Sequence, residues 1–358
     1  MIAWSVRKMH PAEPEIEPSY EEYFEDEKLP LTSVLVREAV QNSLDARLEG
    51  PNDNPVEMRF SWNQVIRDAK IRHFSGDLME SLEMCGLNYG ELASPGVKCL
   101  TIEDFGTKGL IGDPTTLHPE SNENDFYYFF RVMGSSQKSS RDRGSRGLGK
   151  VVFPKSSSIR SFFALTNRVT DGRTLLMGQA LLKIHRNKKG ERFEPFVYYC
   201  VRRDFVPLPE DDAKTIAAFK KDFRMTRSDE SGLSIVIPYV DENITLHSIS
   251  YALVKECYYS ILDGKLVAKL SHAGYSRDIN LDTIEQLAPK DDNLLKRLRF
   301  VRWAIEVAKG GIPSLAEPDH RNPKLERELF TEPQYEALQT KYKGFGKIAI
   351  RIPIFVHP

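Results

Sequence analysis

The amino-acid sequence predicts an α/β protein built as two domains, and three observations carry that expectation. The chain has 358 residues, more than one hydrophobic core usually organises. Short apolar runs of strand character alternate with segments of helical period along most of its length. A hydrophobic share of 41% and a charged share of 28% are those of an ordinary soluble globular chain. No internal repeat is present in the sequence.

Residues 1–8 alternate enough for a first strand, and the acidic, proline-bearing stretch 11–28 has little to bury and is read as a surface arm. Thr32 or Ser33 as N-cap would start a helix over 34–47, and Gly50-Pro51-Asn52-Asp53 would stop it. A strand at 56–62, a helical insert over 64–84 and a buried strand at 96–103 running into Asp104 follow. Residues 125–133 read as a helix, and 134–146, rich in Gly, Ser, Lys and Arg, as a mobile loop. Strands at 159–165, 174–182, 195–203 and 233–239, with a helix at 211–223, complete a first α/β domain over 1–240. A helix at 246–262, a strand at 264–270, a helix at 293–308 and a strand at 346–356 make a second, smaller α/β domain over 241–358. The sequence stops just after that strong strand, which is compatible with a longer natural protein.

No run of about 18 apolar residues could span a bilayer, so no membrane partner is expected. The first residues, Met1-Ile2-Ala3-Trp4-Ser5-Val6-Arg7, have no apolar core with a small-residue cleavage site, which predicts a cytoplasmic protein. Cys85, Cys99, Cys200 and Cys257 are widely spaced without a C-x-x-C pair, so reduced core cysteines are expected rather than a zinc site or disulfides. The net charge of −1 gives no whole-chain footprint for nucleic acid. Locally, Arg131, Lys138, Arg141, Arg143, Arg146, Lys150, Lys155 and Arg160 face only Asp142, a concentration that calls for an anion.

Glu38, Asn42 and Asp45 stand at i, i+4 and i+7 on one face of the first helix, among Leu35, Val36, Ala39, Val40 and Leu44. Such a stripe faces water or a ligand. Asp104, alone, would read as a turn former at a strand end. In Gly144-Ser145-Arg146-Gly147-Leu148-Gly149-Lys150 the glycines allow backbone N–H groups to approach phosphate oxygens. Val151 after Lys150 excludes a Walker A loop, which needs Ser or Thr there for Mg²⁺.

Together these segments resemble the boxes of the GHKL ATPases, the group of gyrase B, the ninety-kilodalton heat-shock chaperone, MutL and the MORC proteins. Glu38-x-x-x-Asn42-Ser43-x-Asp45-Ala46 resembles the N box. The resemblance implies that Glu38 is the general base, that Asn42 holds Mg²⁺ with its amide oxygen, and that Asp45 lies beside the nucleotide. Asp104-Phe105-Gly106-Thr107-Lys108-Gly109 is similar to the D-x-G-x-G box, with one extra residue between the glycines. It implies that Asp104 accepts the adenine amine, with Gly106 and Gly109 beside the nucleotide. The glycine-rich segment resembles the lids of type II topoisomerases and MORC proteins, which implies phosphate contacts from Ser136, Lys138, Gly144, Gly147, Leu148, Gly149 and Lys150 in a lid of about 134–150. A fourth element would fall at Gly232-Leu233-Ser234, with Ser where the family has Thr. Gln339-Thr340-Lys341 spells the loop with which gyrase-like proteins reach the γ-phosphate, although the helical look of 333–342 favours a coincidental match.

The resemblance implies a Bergerat-type ATP-binding fold, a mixed sheet with helices on one face, followed by a transducer-like domain. It further implies Mg-dependent ATP hydrolysis that orders the lid and joins two chains as a homodimeric clamp, with DNA or a protein as partner, in DNA maintenance or anti-phage defence. Two other readings stand beside it. One is a non-hydrolysing ATP-binding scaffold. The other is a histidine-kinase-like phosphotransferase, which Glu38 and the position of the domain in the chain disfavour.

Overall fold

The computed structural model describes residues 2–15, 30–50, 54–87, 96–119, 123–132, 151–203, 206–288 and 292–309. In chain order it contains β1 (Ala3–Lys8), α1 (Leu31–Asp45), β2 (Val56–Val65), α2 (Arg67–His73), α3 (Leu78–Met84), β3 (Val97–Phe105) and α4 (Asp125–Arg131). Next come α5 (Val152–Lys155), β4 (Ser161–Asn167), β5 (Thr174–Leu181), β6 (His185–Arg186), β7 (Arg192–Arg203), β8 (Val206–Leu208) and α6 (Ala213–Asp222). The described part ends with β9 (Gly232–Pro238), α7 (Leu246–Glu256), α8 (Tyr258–Leu262), β10 (Leu266–His272), β11 (Tyr275–Ile279) and α9 (Asp292–Ala308).

One mixed sheet of 11 strands organises these elements in the order β1-β7-β5-β4-β9-β3-β2-β10-β11, with β6 and β8 pairing on β7. β2 and β10 pair in parallel from Val56↔Leu266 to Trp62↔His272, and their neighbours pair antiparallel. Because β10 and β11 extend the sheet, the first compact unit runs over Met1–Leu287, past the boundary at 240 read from the sequence. The second unit is Ala288–Pro358, of which α9 is the described element; the strand expected at 346–356 lies outside the described residues.

All seven residues of β4 are buried, so both faces of the sheet are covered. Successive side chains on the strand point to opposite faces. Phe163 meets Trp4, Phe74, Tyr199, Phe219 and Phe223 on the face of α2 and α6. Phe162 meets Phe129, Phe130 and Phe153 of α4 and α5 on the other. Helices therefore pack on both faces of the sheet. Each face carries an aromatic-rich apolar layer.

α1 begins at Leu31 after Pro30, with no side-chain cap. Thr32 and Ser33 are buried in its first turn instead of capping it, and the Thr32 hydroxyl lies 3.5 Å from Asn243 O and 3.4 Å from Ser248 Oγ, just before and within α7. Packing against α7 overrides the local capping signal. The expected 246–262 helix breaks at Cys257 into α7 and α8, and the 64–84 insert breaks into α2 and α3. Cys99, Cys200 and Cys257 are free and buried, and Cys85 is free and half-buried. Among the described residues no helix is long and apolar enough to cross a membrane.

Candidate functional site

α1 buries Leu35, Val36, Ala39 and Val40, and this anchors its polar side over the end of β3. Asn42, Ser43, Asp45 and Ala46 line a cleft of about 320 Å³ together with Asp104, Thr107, Lys108 and Gly109, within the range of small-ligand sites. Met58, Ile102, Phe129, Phe153 and Ile235 supply apolar walls. Glu38 is half-buried one turn before Asn42, outside the residues that line the cleft. Among the described residues no group of three or more His, Cys, Asp or Glu could hold a metal ion on its own.

Asp104 is 5% exposed, yet its carboxylate is met by donors on both oxygens. Ser43 Oγ lies 2.9 Å from Oδ2, Thr107 Oγ1 donates to Oδ1 at 2.6 Å, and Leu233 N donates to Oδ1 at 2.7 Å. The Arg227 guanidinium stands 3.7 Å from Oδ1 and donates to the Asp104 carbonyl. Burial pushes the carboxyl above its usual range, while Arg227, the Leu233 N–H and the two hydroxyls pull it down. Three donors use three of about four lone-pair directions of a carboxylate, and the remaining capacity suits a donor from the cleft.

The turn after β3 is tied to the end of α1: Leu48 N donates to Gly106 O at 2.9 Å and Lys108 N to Ala46 O at 2.9 Å. Gly106 and Gly109 hold φ at +78° and +71°, the left-handed region that glycine adopts without strain. Lys108 is paired with Asp125 at 2.8 Å. Leu110 N donates to Thr166 Oγ1 at 2.8 Å, which fixes the turn on β4. The additional residue between the glycines is thus accommodated by a turn held at both ends.

Of the residues singled out from sequence, Asn42, Asp45, Asp104 and Gly109 line the cleft, and Gly106 shapes its turn. Ser136, Lys138, Gly144, Gly147, Leu148, Gly149 and Lys150 lie outside the described residues, as does Gln339-Thr340-Lys341. Sequence reasoning missed Ser43, Thr107 and Arg227 as partners of Asp104. At Gly232-Leu233-Ser234 it is the Leu233 N–H that reaches Asp104. The Ser234 hydroxyl accepts from Arg227 Nε at 2.8 Å and lies 3.3 Å from Glu103 Oε1.

No protein-family model matches the sequence, and no curated protein matches it. Among solved structures, the chain is similar to the ATPase region of Saccharomyces cerevisiae topoisomerase II bound to ICRF-187 (dexrazoxane), at 12% identity and a TM-score of 0.34 over 79% of this chain and 58% of that one. It is similar to the ATPase and transducer domains of DNA topoisomerase II from Balamuthia mandrillaris at 13% identity and a TM-score of 0.34, over 81% of this chain and 58% of that one. A third is the N-terminal domain of a DNA repair protein, at 12% identity and a TM-score of 0.28, over 72% of this chain and 57% of that one. The chain spans less than three fifths of these structures. A likeness this distant carries no weight for activity or partners.

Proposed function

We propose that the cleft between α1 and the end of β3 binds ATP and that the chain hydrolyses it. The observation that carries this reading is Asp104, a buried carboxylate aligned by three donors at the wall of an apolar cleft. An acceptor so held pairs with the adenine 6-amine and rejects guanine, whose carbonyl would leave it unpaired. Asn42 and Asp45 line the same cleft and offer hard oxygens, which fits Mg²⁺ beside phosphates. Asn42 would hold the ion, which supplies charge neutralisation at the phosphates when bound. Glu38, on the same helix, is the proposed general base for the attacking water. The basic, glycine-rich segment 134–150 is read from its sequence as the phosphate lid, with Ser136, Lys138, Gly144, Gly147, Leu148, Gly149 and Lys150 contributing contacts.

On this reading nucleotide joins two chains as a clamp, residues beyond the ATP-binding part act as a transducer, and DNA or a protein is the object clamped. The position of Glu38 outside the cleft lining favours a second reading, in which bound ATP is a switch without turnover. Titration calorimetry tests the site: the parent should bind ATP in preference to GTP, and Asp104→Ala should lose about tenfold or more in Kd. Equal ATP affinity in the variant, or a preference for GTP in the parent, sinks it. Phosphate release from the parent and from Glu38→Ala separates turnover from the switch.

A further inference from the structure

Asp104 and Glu103 are neighbours on β3 and are 5% and 1% exposed, and Arg227 between them is 2% exposed. Two adjacent carboxylates point to opposite faces of the sheet, and one buried cation serves both. Arg227 N donates to Glu103 Oε1 at 3.1 Å, while Thr226 donates to Oε2 through N at 2.9 Å and Oγ1 at 2.6 Å.

The guanidinium is fixed on every side. Nη1 donates to Glu230 O and Ser231 O at 3.0 and 2.9 Å, Nη2 to Leu233 O at 3.1 Å and to Asp104 O, and Nε to Ser234 Oγ. It lies 4.5 Å from the Phe105 ring centroid, and Arg59 lies 4.0 Å from that centroid. Gly232, at φ +139°, leaves the gap through which the charge approaches the carboxylate: a Cβ there would sit 2.5 Å from Asp104 Oδ1 and 2.7 Å from Arg227 Nη1.

Ser43 makes the protonation state of Asp104 consequential. Its hydroxyl lies 2.9 Å from Asp104 Oδ2 and 2.9 Å from Ala39 O, and one hydroxyl hydrogen serves one of them at a time. With Asp104 ionised, Ser43 donates to Oδ2. With Asp104 neutral, Oδ2–H donates to Ser43 Oγ, and Ser43 donates to Ala39 O. Both arrangements satisfy the buried groups, so the hydroxyl does not choose between them.

We infer that Arg227 makes that choice: it is a positioning residue that keeps Asp104 an acceptor-only carboxylate and so sets the preference of the cleft for an adenine amine. The inference rests on the ATP reading of the cleft. The groups around Asp104 are Ser43 and Asp45 of α1, Thr107 and the Asp125-paired Lys108 of the turn, and Arg227 before β9, with Glu103 on the opposite face of β3 and Glu230 and Arg59 around Arg227. Arg227, 3.7 Å from Oδ1, is the cation that pulls the carboxyl's pKa down, and burial of Asp104 works against its charge.

The test follows the carboxyl carbon of Asp104 by NMR in the full chain without nucleotide, the signal being assigned by its loss in Asp104→Asn. On titration between about pH 8 and about pH 6 the carboxyl should take up its proton at a higher pH in Arg227→Met than in the parent. ATP affinity in Arg227→Met should fall about tenfold between those pH values, beyond any change in the parent, and Arg227→Lys should restore the parent's profile. An Asp104 that titrates identically in the parent and Arg227→Met, or that is neutral in the parent at neutral pH, overturns the inference. If Arg227→Met does not fold, a folded Arg227→Lys protein with neutral Asp104 overturns it, and one with ionised Asp104 and the parent's ATP profile supports it. A shifted Asp104 titration in a parent that binds no ATP would support the role of Arg227 while removing the ATP reading.

Discussion

Gly109 holds φ at +71°, and a Cβ on it would lie 2.4 Å from Asn167 O and 2.7 Å from Thr166 Oγ1. Neither atom is the free end of a flexible chain: the Thr166 hydroxyl accepts from Leu110 N and donates to Gly232 O at 3.2 Å. Gly109→Ala should therefore lower stability by about 2–4 kcal/mol. At Gly106, where the nearest atom to a Cβ is 3.4 Å away, the backbone penalty alone should cost about 1 kcal/mol. Urea unfolding of the two variants checks the order, and a Gly106 variant weaker than the Gly109 variant would refute it. At this scale the site was partly legible. Asp104 and the glycines show themselves by spacing and by their place after a buried strand. Ser43 stood inside the quoted motif, but its partner depends on how α1 lies across β3. Arg227 is 123 residues from Asp104 and reaches it through the β3–β9 pairing, for which no local pattern exists.

His73 ends α2 and joins three elements: Nε2 lies 2.8 Å from Asp222 Oδ2 at the end of α6, Nδ1 lies 3.0 Å from the Tyr199 hydroxyl on β7, and the ring packs on Phe219 and Phe223. Burial holds its pKa below the ordinary 6.5, against the opposing pull of Asp222. With the folded value depressed, the unfolded chain binds more protons in mild acid. This contribution to stability is full above about pH 6.5 and is lost as pH falls through the folded pKa. Urea unfolding at about pH 7.5 and about pH 5.5 should show a loss in acid that His73→Gln reduces, and an equal loss in both proteins would exclude His73 as its source. The variant itself should cost about 1–3 kcal/mol at the higher pH. Periodicity revealed most of the elements that His73 joins, because each buries a regular stripe. It missed β11, whose Tyr275, Ser276 and Asp278 are exposed with only Ile279 buried, so an edge strand leaves little apolar signal. The Ala273-Gly274 turn, with φ of +49° and +83°, was the available sign of that hairpin. The inclusion of β10 in the first unit was hidden for another reason: it rests on a parallel pairing in which Ser61 meets Ser271, 210 residues apart.

Within the Met1–Leu287 unit, α1 packs on α7, and the chain continues from α7 through α8 into β10 beside β2. On the proposed reading, a displacement of α1 by nucleotide would be passed to elements at the far edge of the sheet, since packed elements shift together rather than deform. Glu38 sits on that helix one turn from the cleft-lining Asn42, and as the proposed general base it is the residue whose substitution would separate closure from turnover. A general base acts when water is deprotonated and adds little to ground-state binding. Glu38→Ala should keep ATP affinity while losing roughly 10²–10⁴-fold in phosphate release. If ATP joins two chains and hydrolysis parts them, the same variant should accumulate as a dimer with Mg·ATP, because closure proceeds and the reopening step does not. Light scattering with and without nucleotide reads this directly. A monomer at saturating ATP would remove the clamp and leave the ATPase, whereas full phosphate release from the variant would remove Glu38 as the base and return the search for it to residues that line the cleft, Asp45 first.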